Sequence, residues 1–380
     1  MALLVLALHP FVTYPLSLVL IRRLSAKPVA EAPVNLTAAM CVCAYNEEGV
    51  IRAKALNMLE LQKAYPQLSL SIYVDGASDR TREILSEFDA AIDVVASDVR
   101  LGKTHGMNTL VARANADFVV FSDANVRLAT DAVTHLLAPF ADPEVGGVCG
   151  HLIYQGGNGQ GTAQTGSIYW RLEETIKRLE CATGSVMGAD GSLFAIRRSL
   201  HEPVPVDLIE DMYVSLSVLC AGHRFVRAEN ALAFEEVTSG LNEEFRRKVR
   251  ISCQAFNVHR ALASQLRRLP LLDNYKYISH KLLRWFTIYL LVAGGISFLV
   301  GVGMLAGSLQ LSLLAAICVV AMLWMVFGRN RIASALRSVL SAFLATGLGI
   351  LRSLRGDRFQ TWTPPTSARA SFDVSSQGVR

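Results

Sequence analysis

Charged residues are scarce in this sequence of 380 residues. Asp, Glu, Lys and Arg together make up 18% of the chain, whereas apolar residues make up 52%. A soluble protein normally carries more charge, and the apolar surplus lies at the two ends of the chain rather than in its middle. The composition therefore predicts a water-soluble central domain with membrane segments on both sides.

The sequence also lacks the patterns of several common protein classes. No basic stripe alternates with aromatic residues, so the net charge of +5 does not indicate nucleic-acid binding. The basic residues instead stand beside apolar runs, as they do in proteins that contact lipid. The absence of a G-x-x-x-x-G-K-[ST] loop, and of G-x-G-x-x-G after the first predicted strand, argues against a nucleotide hydrolase and a dinucleotide dehydrogenase.

The cysteines give no indication of a zinc site. The chain has seven of them, irregularly spaced, without a C-x-x-C pair or a Cys/His cluster. We expect reduced thiols, which are usual for a domain in the cytoplasm.

The first apolar run, residues 1–24, is predicted to form an N-terminal transmembrane helix. Residues 1–21 carry no charge, and Arg22 and Arg23 follow them. Basic residues after the run place its C-terminal end in the cytoplasm. The alternative is a signal peptide, but such a peptide has a basic start and a small-residue cleavage site, and this run begins with neither Lys nor Arg.

The C-terminal apolar segments come in two parts. Residues 284–328 are predicted to form a transmembrane hairpin, because the uncharged part is about double the ~20 residues that one span requires. A third C-terminal segment, residues 332–352, is interrupted by Arg337. For this segment an interfacial helix and a further span are both open.

Two connecting regions complete the predicted organisation. Residues 261–283 would form an interfacial connector between the central domain and the hairpin. Residues 353–380 form a basic tail rich in Ser, Thr and Pro, for which we expect loose order.

The stretch between about residues 39 and 150 alternates strand and helix patterns. Four short apolar runs end at positions 44, 74, 96 and 121, with helical stretches between them. Such alternation predicts an α/β domain with a mainly parallel sheet covered on both faces. Acidic or amide residues follow each run, and ligands bind at the carboxyl ends of strands in open α/β sheets. We therefore expect a binding site at this edge.

Five motifs follow one another in the central stretch. They read Cys43-Ala-Tyr-Asn-Glu47, Val74-Asp-Gly-Ala-Ser-Asp79, Leu101-Gly-Lys-Thr-His-Gly-Met-Asn108, Phe121-Ser-Asp-Ala-Asn125 and Leu208-Ile-Glu-Asp211. As an ordered set they resemble the family 2 glycosyltransferases. The likeness is greatest to membrane-bound members related to cellulose, chitin and hyaluronan synthases and to bacterial exopolysaccharide transferases. The resemblance implies the Rossmann-like GT-A fold for residues 36–260.

The resemblance assigns the donor nucleotide to residues of the first four motifs. These are Ala44, Tyr45, Asn46, Glu47, Asp75, Lys103, Asn108 and Asp123. Asp75 would accept a hydrogen bond from uracil, which a charged acceptor does well. Lys103 would offset diphosphate charge; the alternative, a solvated lysine at a helix start, is disfavoured by the helix dipole. For the turn after Asp75, a helix N-cap at Ser78 or Asp79 is also open.

The fourth motif would also hold a divalent metal, Mg²⁺ or Mn²⁺. By resemblance its ligands are Asp123 and Asn125, where the family has two aspartates. An amide oxygen still binds such a metal but contributes no charge, so we expect weaker metal affinity. The alternative is an Asx cap at the end of a strand.

The fifth motif would carry the catalysis. By resemblance Asp211 is the general base, and Glu210 beside it is assigned to the same site. Transfer with inversion requires a carboxylate opposite the leaving nucleotide, which takes the proton from the acceptor hydroxyl. Ile209 replaces the threonine of the family motif, and an N-cap of the following helix is the alternative role of Asp211.

Four further residues are assigned to the diphosphate or the acceptor. Gly188 would let the backbone approach a sugar, and Asp190 would touch the acceptor. Arg247 and Arg250 share one helix face and could reach the diphosphate; alternatively their helix rests on anionic headgroups. Processive synthases carry Q-x-x-R-W at this point, and Ile251 stands here in place of the tryptophan, which argues against a processive polymerase.

Together these observations predict an inverting glycosyltransferase in a bacterial inner membrane, with its catalytic domain in the cytoplasm. It would move a sugar from a nucleotide-diphosphate sugar, with UDP as the expected nucleotide, to a lipid-linked or oligosaccharide acceptor. The expected partners are the sugar donor, the glycan or lipid-linked acceptor and membrane lipids, without nucleic acid. Two alternatives stay open: a processive polysaccharide synthase, and a non-catalytic membrane scaffold that binds a sugar nucleotide.

Overall fold

A twisted sheet occupies the centre of the chain. The computed structural model describes residues 2–155, 161–236, 241–305 and 330–361, with isolated positions between 310 and 328. The strands within these ranges are β1 (Ala38–Ala44), β2 (Leu68–Asp75), β3 (Asp93–Ser97), β4 (Phe118–Asp123), β5 (Arg127–Leu128), β6 (Val145–Gln155), β7 (Leu193–Arg197) and β8 (Arg224–Glu236). They form one eight-stranded sheet in the order β3-β2-β1-β4-β7-β6-β8-β5.

The sheet is mainly parallel, which confirms the prediction. The neighbours β1/β2, β2/β3, β1/β4 and β6/β8 are parallel, and β7 and β5 run antiparallel to their neighbours. The chain passes from β1 to β2 on one side and reaches β4 on the other side. An open α/β sheet binds its ligands at such a switch point.

Helices cover both faces of the sheet and continue beyond it. They are α1 (Ala2–Leu8), α2 (Thr13–Leu24), α3 (Ile51–Ala64), α4 (Thr81–Ser86), α5 (Lys103–Arg113), α6 (Ala132–Leu137), α7 (Gly161–Ala182), α8 (Glu210–Cys220), α9 (Leu241–Leu266), α10 (Leu271–Tyr277), α11 (Leu283–Leu305) and α12 (Arg331–Leu354). A π-helical turn, Ile278–Leu282, joins α10 to α11. Short 3₁₀ turns follow α6 and β7 at Ala138–Ala141 and Arg198–Leu200.

Alternating residues of the central strands build two cores, one on each face. Val42 and Val120 contribute to the core under α3 and α6, whereas Val119 and Phe121 contribute to the core under α5, α8 and α9. This follows from the two-residue period of a strand. Phe121 stacks on Phe194 of β7 with ring centroids 4.5 Å apart, which fixes the antiparallel neighbour beside β4.

The N-terminal run differs from the single helix that its composition predicts. Two helices, α1 and α2, meet at an angle of 65°. Pro10 lies in the break, and proline interrupts a helix because it lacks an N–H and crowds the preceding turn. Tyr14 and Leu18 of α2 are fully buried against Ile176 and Leu179 of α7, so this segment packs on the central domain.

Two helices in the described residues are long and apolar enough to cross a membrane. They are Leu271–Met304, which includes the π turn, and Ile332–Leu354; the bent N-terminal pair is a third only if it counts as one span. Residues 261–283 comprise the end of α9, a short break at residues 267–270, α10 and the π turn that leads into α11; their role as an interfacial connector stays a prediction. The second limb of the predicted hairpin lies largely outside the described residues, and so does the tail beyond residue 361.

The helix α12 packs closely on α9 at Gly349. A Cβ added to Gly349 would lie 2.6 Å from the carbonyl oxygen of Val249 and 2.7 Å from Cβ of Ser252. Neither neighbour is the end of a flexible side chain, so any larger residue must push the two helices apart.

We expect Gly349→Ala to destabilise the protein by roughly 1–3 kcal/mol. Gly295→Ala in α11 is the matched control, because a Cβ at that position meets nothing within 4 Å. Alanine in that open position favours the helix, so the control should melt at or slightly above the wild-type temperature. The measurement is the thermal midpoint of each purified variant; equal midpoints for the two variants would contradict the close packing.

Candidate active site

The ends of three neighbouring strands bring the first four motifs together. Ala44 pairs with Val74 across β1 and β2, and Cys43 pairs with Asp123 across β1 and β4. The residues that follow each strand therefore emerge at one edge of the sheet. Ala44 itself is buried in the core, which leaves the turn after it to face this edge.

The first two motifs are bound to each other by their turns. Asn46 adopts a left-handed conformation, with φ of 52°, and its Oδ1 accepts the N–H of Ser78 at 2.8 Å. Asp79 accepts the N–H groups of Glu48 and Thr81, both at 3.0 Å. Asp79 thus holds both the β1 turn and the first residue of α4, whereas the N-cap position of α4 is Arg80 and has no side-chain cap hydrogen bond.

Asp75 holds the third motif in place. Its buried carboxylate accepts the N–H of Leu101 at 2.7 Å and the N–H of Gly102 at 2.9 and 3.0 Å. Gly102 has φ of 94°, which a side chain would not tolerate well. A carboxylate has about four lone-pair positions, so Asp75 retains acceptor capacity beyond this loop.

Lys103 lies at the centre of the acidic residues. Its Nζ is 2.5 Å from Oδ1 of Asp123 and 2.5 Å from Oε1 of Glu210. Burial disfavours the charged ammonium, but Asp123, Glu210 and Asp211 outweigh this effect and raise the pKa of Lys103 well above its usual value. Lys103 is therefore a permanent cation in this site.

Gly191 leaves the space in which these groups meet. A Cβ at Gly191 would lie 3.3 Å from Oδ2 of Asp123, Oδ2 of Asp211 and Nζ of Lys103. Three charged groups from β4, α8 and α5 thus converge on one backbone position just before β7. The structure brings together Lys103, Asp123, Glu210 and Asp211.

Asp211 is set to hold a proton near neutral pH. Burial and the adjacent Glu210 carboxylate raise its pKa to about 7, although Lys103 acts in the opposite direction. Its Oδ1 accepts the N–H of Met212 at 2.6 Å, which fixes the carboxylate at the first turn of α8. A carboxylate with such a pKa can take up a proton and release it again at physiological pH.

A second acidic position lies beside Asn125. Nδ2 of Asn125 donates to Oε1 of Glu235 at 3.2 Å. Burial and the charge of Asp123 raise the pKa of Glu235 to about 7, and Arg247 opposes them. Burial and the neighbouring Arg247 lower the pKa of Arg250 to about 10, and Glu210, Asp211 and Asp123 oppose this. Arg247 of α9 thus interacts with Glu235, and Arg250 of the same helix interacts with Glu210, Asp211 and Asp123.

Three assigned residues have other surroundings. The structure does not bring Asn108 to the cluster. Its Nδ2 donates to the carbonyl oxygen of Val204 at 2.7 Å, and its Oδ1 accepts the N–H of Val204 at 3.0 Å. Asp190 pairs with Lys177 of α7 at 2.8 Å, and Lys177 lowers the pKa of Asp190 although burial alone would raise it. Gly188, with φ of 108°, lies beside the side chain of Lys281.

Sequence reasoning missed three residues at this edge. Lys54, on the buried face of α3, donates to Oγ of Ser122 at 2.8 Å and to the Val126 carbonyl at 2.7 Å, directly below the fourth motif. Arg100 stacks on the ring of Tyr45 at 3.7 Å, and Glu235 contacts Asn125. Only Lys54 could have been found from the sequence, because it is a lysine between apolar residues on one helix face. No such pattern marks Arg100 or Glu235.

The donor set fits a magnesium or manganese ion bound together with a diphosphate. Among the described residues, no three His, Cys, Asp or Glu side chains are arranged to hold a metal. Mg²⁺ is usually held by one or two carboxylates together with substrate phosphates rather than by a cage of protein ligands. Asp123 and the amide oxygen of Asn125 supply oxygen ligands of that kind.

Asp211→Asn should stabilise the protein above neutral pH. The free carboxylate has a pKa of about 3.9, and the folded value is about 7. Between these values the folded state binds more protons than the unfolded state, so the wild type loses stability as pH rises. The asparagine of the variant does not titrate between these pH values. Each kcal/mol by which the variant's free energy of unfolding exceeds that of the wild type raises the thermal midpoint by roughly 2–4 °C.

Thermal midpoints at pH 5 and pH 8 test this expectation. The thermal midpoint of Asp211→Asn should exceed that of the wild type by more at pH 8 than at pH 5. Asp98→Asn is the control, because Asp98 is an exposed acid that pairs only with Arg82 among the described residues. An excess that is the same at both pH values would contradict the raised pKa.

Comparison with known proteins shows which family the central stretch is similar to. The family profile described as Glycosyl transferase family 2 matches residues 40–204. An N-acetylglucosaminyltransferase of Rhizobium sp. (strain N33) is 25% identical over 250 residues, covering 61% of this chain and 54% of the relative. A poly-beta-1,6-N-acetyl-D-glucosamine synthase of Staphylococcus aureus (strain MSSA476) is 28% identical over 214 residues, covering 54% of this chain and 51% of the relative. The chain spans about half the length of these curated relatives.

A solved structure has the same fold. A mannosyltransferase from Pyrobaculum calidifontis, in complex with GDP-Man and Mn²⁺, superposes with a TM-score of 0.71 over 93% of this chain and 97% of that chain. The sequence identity is 18%, so this likeness concerns the fold alone. Residues 40–204 therefore match the profile of the family 2 glycosyltransferases, and the chain shares its fold with a solved glycosyltransferase structure.

Proposed function

We propose that this enzyme transfers a sugar, with inversion, from a nucleotide-diphosphate sugar to a lipid-linked or oligosaccharide acceptor. The observation that carries the proposal is the meeting of Lys103, Asp123 and Asp211 at Gly191, at the carboxyl edge of the sheet. A donor diphosphate needs cations, and an attacking hydroxyl needs a base. This cluster supplies both functions within one small space.

The donor nucleotide is proposed to bind over the turns after β1 and β2. Tyr45 and its partner Arg100 offer a flat surface on which a base can stack. Asp75 lies below them and fixes the Leu101–Gly102 backbone, so the base is read by a rigid loop. UDP is the expected nucleotide, and a guanosine donor is the alternative to include in any test.

Asp211 is proposed as the general base. A carboxyl whose pKa is raised to about 7 accepts the proton of an acceptor hydroxyl more readily than an ordinary aspartate does. The proton moves to Asp211 as the acceptor oxygen attacks the anomeric carbon from the side opposite the leaving diphosphate. Glu210 keeps Lys103 in position, with the ammonium 2.5 Å from its carboxylate.

The leaving diphosphate is proposed to contact Lys103, Arg247 and Arg250. Lys103 pairs with Asp123, Arg250 interacts with Glu210, Asp211 and Asp123, and Arg247 interacts with Glu235 beside Asn125. Asp123 and Asn125 would hold a divalent metal, which stabilises negative charge on a departing diphosphate when it is bound. Mg²⁺ and Mn²⁺ both suit these oxygen ligands.

A processive polysaccharide synthase is the second candidate. Its support is the relative named poly-beta-1,6-N-acetyl-D-glucosamine synthase. Against it stands Ile251, in the place where processive synthases carry a tryptophan that stacks on the growing polymer. The length of the product separates the two candidates, because a processive enzyme yields long chains even when the acceptor is in excess.

A panel of labelled nucleotide sugars tests the proposal. Membranes containing the full chain are incubated with each donor, with Mg²⁺ or Mn²⁺ and with a chelator. We expect metal-dependent transfer from one donor. Asp211→Asn should lower kcat by about 10²-fold or more, since general-base catalysis contributes typically 10²–10⁴-fold.

The same Asp98→Asn variant serves as the control and should keep wild-type transfer. Binding of the preferred donor should survive in Asp211→Asn, because the base faces the acceptor. If no donor is consumed, and the wild type and Asp211→Asn bind the sugar nucleotide equally well, the non-catalytic scaffold replaces this proposal.

A further inference from the structure

A cavity of about 540 Å³ lies between α9 and the end of α12, outside the active site. Its α9 wall includes Phe245, Arg246 and Val249, and its α12 wall includes Leu348, Leu351 and Arg355. The helix α12 is one of the two helices whose length and composition suit a membrane span. The cavity therefore lies where the last such helix meets the catalytic domain.

The charges around the cavity are mainly positive. Three arginines and one aspartate line it. The aspartate, Asp357, forms an ion pair with Arg352, whose Nε lies 2.6 Å from Oδ2 of Asp357. Arg246 and Arg355 have no ion pair with any residue in the part of the chain that the structure describes. Two guanidinium groups without a carboxylate thus face one cavity, and guanidinium groups are suited to phosphate oxygens.

Apolar side chains lie directly beside these cations. Leu348 is 45% exposed and Leu351 is 39% exposed, although both lie in an apolar helix next to the cavity. An inorganic phosphate or a soluble nucleotide would satisfy the arginines and leave the leucines in water. An amphiphile with an anionic head and apolar chains would cover both.

The α9 wall is rigid, and its neighbouring face belongs to the active site. Close packing around Gly349 fixes α12 against α9. Arg246 precedes Arg247 by one residue, so the two side chains point about 100° apart around the helix. The face with Arg247 and Arg250 meets acidic residues of the active site, whereas the face with Arg246 meets the cavity.

We propose that this cavity binds the phosphate headgroup of an anionic bilayer phospholipid, with Arg246 and Arg355 as its ligands. The acyl chains lie along Leu348 and Leu351. Basic pockets between helices at a membrane surface bind anionic lipid headgroups by this combination of charge and apolar contact. The lipid would contact both α9 and α12, next to the face of α9 that carries Arg247 and Arg250.

Native mass spectrometry of the full chain tests the proposal. The protein is reconstituted in nanodiscs of phosphatidylcholine with added phosphatidylglycerol, and the lipids that remain bound are identified. We expect the wild type to retain phosphatidylglycerol in preference to phosphatidylcholine. Arg246→Gln with Arg355→Gln should weaken this retention about tenfold or more, since each basic residue near anionic lipid contributes measurably to binding.

Arg268→Gln is the matched control, because Arg268 is an exposed arginine just beyond the other end of α9. It should retain phosphatidylglycerol like the wild type. The single variants, Arg246→Gln and Arg355→Gln, should each give a partial loss. Thermal midpoints in pure phosphatidylcholine should be the same for all variants, which shows that they are folded.

Three results would overturn the proposal. Retention by the double variant equal to that of the wild type would show that the cavity is not the site. A loss in Arg268→Gln as large as in the double variant would indicate general surface charge. Displacement by inorganic phosphate alone, or by a polyprenyl phosphate in preference to phosphatidylglycerol, would assign the cavity to a soluble anion or to an acceptor.

Discussion

One lysine surrounded by three carboxylates determines how the active-site residues are arranged. Lys103 lies 2.5 Å from both Asp123 and Glu210, and Asp211 meets the same point beside Gly191. Carboxylates this close together, largely removed from water, would repel one another or take up protons if no cation balanced them. Because Lys103 supplies that charge, the end of β4 and the start of α8 can approach each other.

Charge pairing continues from this site toward the helices suited to a membrane. On α7, Lys177 contacts Asp190 at 2.8 Å, and Glu180 contacts His280 of the π-helical turn at 2.7 Å. Buried ion pairs add little net stability, but removing one partner leaves a costly unpaired charge. These pairs therefore fix the position of α7 between the proposed acceptor side and the Leu271–Met304 helix. Tyr14 of the N-terminal segment bonds to Glu180 and joins the same arrangement.

Much of the fold and part of the candidate site could be predicted from the sequence. The strand–helix alternation predicted the mainly parallel sheet, and polar residues after the strands predicted the edge where Asp75, Lys103 and Asp123 lie. The contacts of Asn108, which bonds Val204 instead of facing the cluster, could not be predicted, because they depend on distant loops. The contact of Glu235 with Asn125 could not be predicted either, because the two residues are far apart in the sequence. The bend in the N-terminal run lies at the break that contains Pro10, and mean hydropathy does not report such a break.

The most direct test of this account is a calorimetric titration of the full chain with nucleoside diphosphates. UDP and GDP would be added in the presence of Mn²⁺ and again after chelation. We expect at least one of them to bind with Mn²⁺ and to bind about tenfold or more weakly without it. If neither binds, or if binding is equally tight in the chelator, Lys103, Asp123 and Asn125 do not form a diphosphate site and the central claim is wrong.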